Sequence, residues 1–143
     1  MVVRMGMAES NIQLAKKWVD GMNRHDEKFL GTLLAEDAVA VETAFPDEAF
    51  RGRAGVVESY RELFESFPDC KTEITSSIAA DNGVLLEVVW TGTNEKPFRG
   101  TPASGKPVKL LIGYVFYMKG DKISKIHEYY DELTCEQQMG LRT

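Results

Sequence analysis

"VKLLIGYVFYMKGDKISKIHEYYD", residues 108–131, sets two runs of alternating character on either side of Lys119-Gly120-Asp121. A period of two argues for strands, and the Gly-containing turn argues that they return antiparallel. The same pattern extends upstream. Residues 71–80 and 84–91 read as a second strand pair about Asp81-Asn82-Gly83, because Asn-Gly tolerates the positive φ of a tight hairpin. A loop from Gly92 to Pro107, with Gly100, Thr101-Pro102 and Ser104-Gly105, separates the two pairs.

Towards the N-terminus the period becomes helical. After Ser10, which offers an N-cap, Leu14, Ala15, Trp18, Val19 and Met22 predict an amphipathic helix over about 10–23. Asn23-Arg24-His25-Asp26 breaks it, and Asp26 can cap a second helix bearing Phe29, Leu30, Leu33 and Leu34. Residues 38–42 read as a short strand, followed by a loop at Phe45-Pro46-Asp47-Glu48. A third helix begins after Gly52-Arg53-Ala54-Gly55, carries Val56, Tyr60, Phe64 and Phe67 on its stripe, and stops at Pro68-Asp69. A short last helix is expected over about 132–140. Long strands without crossover helices mean α+β: a curved antiparallel sheet wrapped around three helices, leaving a cavity between them.

The totals restrict function. At 143 residues the chain should be one domain, 1–143, with residues 1–8 expected to be disordered. Composition is that of a soluble globular protein, 43% hydrophobic and 27% charged. A formal charge of −5 argues against a nucleic-acid partner, since phosphate recognition needs clustered Lys and Arg. No apolar run approaches the roughly 18 residues of a membrane span, so no membrane partner is expected. The opening MVVRMGM lacks the apolar stretch of a signal peptide, and its three methionines leave the start open. Cys70 and Cys135 lie far apart without metal-ligand spacing, which predicts reduced thiols and a cytoplasmic protein. His25 and His127 are the only histidines, and no HxxxH or CxxC occurs, so no metal or other cofactor is expected.

Four stretches then carry a resemblance: "AEDAVAVE" (35–42), "FRGRAGVVESYRELFESFPD" (50–69), "TGTNEKPFRGTPASGKPV" (91–108) and "GDKISKIHEYYDELTCEQQMGL" (120–141). In this order, over about 10–141, they resemble the SnoaL-like polyketide cyclases, a branch of the nuclear-transport-factor-2-like superfamily. The most specific part is the loop Gly100–Pro107, followed by Asp121-Lys122-Ile123, Asp131 and Gln138-Met139-Gly140. The resemblance implies a cone-shaped, cystatin-like α+β barrel and a cofactor-independent acid–base enzyme. The substrate would be a small hydrophobic carbonyl compound of polyketide type, turned over by aldol cyclisation or isomerisation. A non-catalytic ligand-binding or assembly domain of the same fold is the alternative, because fold alone does not fix function. Relatives usually pair through the outer sheet face, so a homodimer is expected.

Alternation puts Asp131, Tyr129, His127, Lys125 and Ile123 on one strand face, and Tyr130, Glu128, Ile126 and Ser124 on the other. Neither face is wholly apolar. The resemblance chooses, since Asp131 matches the general acid/base aspartate of characterised relatives, and His127 and Tyr129 would then point into the cavity with it. Burial would raise the Asp131 pKa towards working pH. Asp131 could equally cap the helix that starts at Glu132. His127 lies about 13 Å from it along a strand, too far for a hydrogen-bonded dyad; the histidine is either a second catalytic group or a structural one. Tyr117 is expected inward on strand 108–118, with Lys109, Leu111, Gly113 and Val115. Glu42 falls where the ketosteroid-isomerase branch has its base and could be catalytic or salt-bridged at the rim. Trp18 is expected in the cavity wall, and Arg51 and Arg53 at the surface. The Asp-Arg-Asp set of the epoxide-hydrolase branch is missing, because the late strands lack an arginine.

Overall fold

The computed structural model describes residues 6–142. Two helices, α1 (Met7–Asn23) and α2 (Glu27–Thr32), lead into strand β1 (Leu34–Glu42). A two-residue strand β2 (Phe50–Arg51) runs directly into α3 (Gly52–Ser66). Then come β3 (Lys71–Ala80), β4 (Gly83–Thr93), β5 (Pro107–Lys119), β6 (Lys122–Tyr129) and α4 (Glu132–Gln138). The strands form a single sheet in the order β2-β1-β6-β5-β4-β3.

The class is α+β as expected, with two refinements. The sheet is mixed, because β1 runs parallel to β6 while every other pairing is antiparallel. It is also open, with β2 and β3 as edges, so the barrel does not close. Of the segment expected to be disordered, Gly6 is the N-cap of α1 and Met7 and Ala8 belong to its first turn; residues 1–5 lie outside the described residues. Ser10 therefore sits within α1 and does not cap it. Asp26 does cap α2, accepting from the Phe29 N–H at 3.0 Å. Leu34, expected at the end of that helix, is the first residue of β1.

Two asparagines pin α1 along β3. Asn11 Nδ2 donates to the Ala80 carbonyl at 2.8 Å, and Asn23 exchanges bonds with the Thr72 backbone at 2.7 and 2.8 Å. The helix thereby lays Ala15, Trp18, Val19 and Met22 on the sheet, all 5% exposed or less. From the sheet, Leu86, Val88, Phe116, Ile123 and Ile126 meet them. Apolar area removed from water, at about 25 cal/mol per Å², is the main force holding helices to sheet.

The inward face of β5 is Val108, Leu110, Ile112, Tyr114 and Phe116, all buried. This corrects the expected parity: Lys109, Leu111 and Tyr117 point outward, with Leu111 75% exposed. On β6 the correction has a local cause. Met118 pairs with Ile123 but Tyr117 pairs with Lys125, so Ser124 is an extra residue without a partner. Its hydroxyl donates to the Tyr117 carbonyl at 3.0 Å. Such a bulge switches the faces that follow it. Ile123 and Ile126 are therefore both buried although three residues apart, and Glu128 and Tyr130 face inward, where the match of Asp131 to the family aspartate had turned His127 and Tyr129 inward.

Candidate active site

Register across three strands assembles the site. Glu42 of β1 is the partner of Glu128 of β6, and Glu128 is the partner of Tyr114 of β5. Neighbouring strands lie about 4.8 Å apart, so this one row presents two carboxylates and a phenol side by side. All three line a cavity of about 360 Å³ between the sheet, α3 and α4. Its deeper walls are apolar and aromatic, among them Phe67, Trp90, Leu110 and Ile112, while Phe45, Glu48 and Arg99 stand at its mouth. Two bonds between Gln138 and the Lys109 backbone, at 2.7 and 3.0 Å, fasten the end of α4 beside it.

Glu128 is the centre of the arrangement. It is half-buried as a residue, yet its carboxyl is enclosed by protein, because the surface it keeps faces the cavity. Loss of water and then the neighbouring Glu42 charge push its pKa up to about 7, against the opposing pull of a Tyr60 hydrogen bond and the Arg99 charge. Tyr60 Oη donates to Glu128 Oε1 at 2.6 Å. Burial foremost, and then the Glu128 charge, hold the Tyr60 phenol well above its usual range, so it stays a proton donor. Tyr114 is shifted the same way by burial and by both glutamates. Glu132 and Tyr130 add a second polar pair at the α4 side, each raised mainly by desolvation.

Arg99 reaches the cavity from the 94–106 loop. Asn94, fully buried, organises the neck of that loop, accepting from the Ser104 N–H at 2.7 Å and donating to the Lys96 carbonyl at 2.9 Å. Phe98 and Thr101 pair as a two-residue hairpin, with Arg99 at φ 47° and Gly100 at φ 82°. Both central residues of that turn need left-handed backbone, which is uncommon for arginine. The guanidinium then lies over the Phe50 and Phe98 rings at 4.6 and 4.5 Å, and its Nη1 contacts both Glu42 oxygens at 2.7 Å.

The residues singled out from the sequence divide sharply. Glu42 lines the cavity, salt-bridged at its rim. Asp131 does not: it is exposed, its carboxylate accepts from the Thr134 N–H and hydroxyl at 3.2 and 2.8 Å, and it is the N-cap of α4. Those bonds hold its pKa below the usual aspartate value, opposite to the rise expected in a pocket. His127, Tyr117 and Tyr129 lie on the outer sheet face in edge contacts of 5.4 and 6.3 Å. Desolvation and the adjacent Lys125 lower the His127 pKa. Trp18 is fully buried one layer behind the wall, edge-on to Tyr60 at 5.1 Å, and its Nε1 has no acceptor among the described residues. Cys70, close to His25, has its thiol pushed up to about 12 by burial and does not line the cavity. Groups of three metal-ligating side chains do not occur among the described residues.

The family model for the SnoaL-like polyketide cyclases matches residues 12–139. The chain belongs to that family. Members of the fold that it resembles include a SnoaL-like polyketide cyclase from Jannaschia sp. CCS1, at TM-score 0.86 and 16% identity over 100% of both chains. The polyketide cyclase IdmH from Streptomyces antibioticus aligns at TM-score 0.76 and 21% identity, over 91% of this chain and 98% of its own. A protein with a ketosteroid isomerase-like fold from Catenulispora acidiphila DSM 44928, in complex with trimethylamine, aligns at 0.77 and 21%, over 90% and 93%. At such identities these likenesses establish the fold. A search of curated proteins returned no match. No described helix of this SnoaL-like chain is long and apolar enough to cross a membrane.

Proposed function

We propose that this protein is a cofactor-independent acid–base enzyme acting on a small hydrophobic carbonyl compound of polyketide type, by aldol cyclisation or isomerisation. Glu128 is the proton-transfer group in this reading. The observation that carries it is a carboxyl that lines the cavity between Glu42 and Tyr114 and accepts from Tyr60. Burial pushes its pKa up to about 7, where it can both take and return a proton at neutral pH. The role the family resemblance gave to Asp131 passes to Glu128 in this reading, because the Asp131 carboxylate is exposed and turned to the Thr134 cap while its neighbours Tyr130 and Glu132 line the cavity. Glu42, tied to Arg99, contributes the charge that keeps Glu128 basic. Family membership and the cyclases among the structural relatives support the substrate class.

The test is exchange of the protons α to the carbonyl of a bicyclic ketone in D₂O, followed by NMR. Glu128→Gln should slow it by about 10²–10⁴, and Asp131→Asn should leave it near wild type. Equal exchange in Glu128→Gln at intact fold refutes the assignment. A ligand-binding role is the second reading, favoured by β5, whose inward face offers Tyr114 as its only polar group. Native mass spectrometry showing a retained ligand, with no exchange activity, would support it.

The outer face carries Ile78, Leu85, Leu111, Tyr117 and Tyr129, each at least 37% exposed. We infer that a second copy covers it, making a cytoplasmic homodimer; exposed apolar patches of this extent mark interfaces. Light scattering should give twice the 16.0 kDa chain mass, and Leu111→Glu should halve it. A wild-type protein that remains monomeric at micromolar concentration contradicts the pairing.

A further inference from the structure

Tyr114 is 2% exposed and lines the cavity, yet its hydroxyl has no hydrogen-bond partner among the described residues. Tyr60, by contrast, commits its proton to Glu128. The Tyr114 hydroxyl is open to the cavity and uncommitted, so it is free to donate to an acceptor that enters. The only approach left to such an acceptor is from the cavity side. Tyr114 is also the direct cross-strand partner of Glu128. Opposed residues of an antiparallel pair hold their Cβ atoms about 5 Å apart on one face. The phenol is longer than the glutamate side chain, so donor and carboxyl reach different depths of the cavity that both line.

We propose that Tyr114 is a second catalytic residue, whose O–H donates to the substrate carbonyl oxygen while Glu128 handles the proton on the adjacent carbon. The inference rests on the proton-transfer role of Glu128 given above. The step balances without a co-reactant. Glu128 carboxylate takes the α-proton, the C–H electron pair becomes the C=C bond, and the carbonyl π pair moves to oxygen. That enolate oxygen is held by the Tyr114 O–H, without proton transfer. Return of the proton from Glu128 to another carbon completes an isomerisation. Attack of the enolate carbon on a second carbonyl of the same molecule forms a C–C bond, and the Glu128 proton then neutralises the new alkoxide. Burial together with two nearby carboxylates disfavours the phenolate, so Tyr114 remains a donor throughout. Donors aimed at developing negative oxygen are among the larger contributions an active site makes.

The experiment uses 2-tetralone labelled with ¹³C at its carbonyl. Bound to the wild-type protein, the carbonyl carbon should move downfield, as polarisation by a donor requires. Tyr114→Phe, which keeps the ring, should abolish that displacement and slow α-proton exchange about 100-fold with little change in KM. Glu128→Gln should keep the displacement and lose the exchange. No downfield movement in the wild type, or one that survives Tyr114→Phe, overturns the proposal. Exchange that survives Glu128→Gln but not Tyr114→Phe overturns the glutamate's role and leaves the tyrosine contact standing.

Discussion

Tyr60 Oη stands 2.6 Å from Glu128 Oε1, a bond that ties α3 to the sheet at the edge of the cavity. Behind it, Trp18 meets the Tyr60 ring edge-on at 5.1 Å, so the donor is held from its rear by the core. The tyrosine stabilises the charged carboxylate, while burial and Glu42 destabilise it. Removing the donor should therefore move the titration in a known direction. Tyr60→Phe should shift the rising limb of the pH–exchange profile to higher pH, with a stability loss of about 1–2 kcal/mol. A limb that stays in place would mean that Tyr60 does not act on Glu128.

Stability should carry the signature of the same group. Its pKa in the fold, about 7, lies above the ordinary 4.5, so between those values the folded state binds more protons than the unfolded one. Stability from this group is complete below about pH 4.5 and falls as pH rises through 7, by roughly 3 kcal/mol. Glu128→Gln should remove the decline. Thermal unfolding from pH 5 to 8 should then show the variant gaining on the wild type as pH increases.

Arg99 opposes the rise in the Glu128 pKa and bridges Glu42. Arg99→Met should therefore push the activity profile alkaline while leaving the fold intact, since the side chain packs only at the rim. The pH dependence of exchange checks it; an acid shift would contradict the assigned electrostatics.

Asp131 caps α4 from an exposed position, with its pKa lowered by Thr134. Its contribution is present above the ordinary aspartate pKa and is lost as pH falls through the depressed value. Asp131→Ala should lower Tm slightly and fray α4, seen as faster amide exchange at Thr134 and Cys135, while α-proton exchange persists.

At the Asn82-Gly83 turn, a Cβ on Gly83 would collide with the Phe116 carbonyl oxygen of the neighbouring strand. Gly83→Ala should cost about 1–3 kcal/mol by prising β4 from β5. Denaturant unfolding measures this directly, and a neutral substitution would show that the two strands can separate locally.

The elements were legible because each has a local cause. Asp26 caps α2, and the stripe from Val56 to Phe67 marks α3. The Asn82-Gly83 turn forms without the positive φ expected of it, Gly83 serving instead to let β4 approach the Phe116 carbonyl of β5. The site was less legible. Glu42 could be singled out by its place at the end of β1, but Glu128, Tyr60 and Tyr114 were passed over. Uniform alternation back from Asp131 turned His127 inward, and the bulge at Ser124 is invisible to a period-two count. One signal was available. Val108, Leu110, Ile112, Tyr114 and Phe116 form the clearly apolar parity of β5, and the strand paired with it had to match. Arg99 could not be found at all from periodicity, because a loop carries it to the cavity and only tertiary contacts reveal its partner.

Ser124 thus acts as a phase marker for everything downstream on β6. Two alternative constellations are written on one strand, Glu128 with Tyr130 on the cavity side and His127 with Tyr129 on the outer face. Letter-by-letter matching through this segment to a relative without the bulge would equate side chains that point in opposite directions.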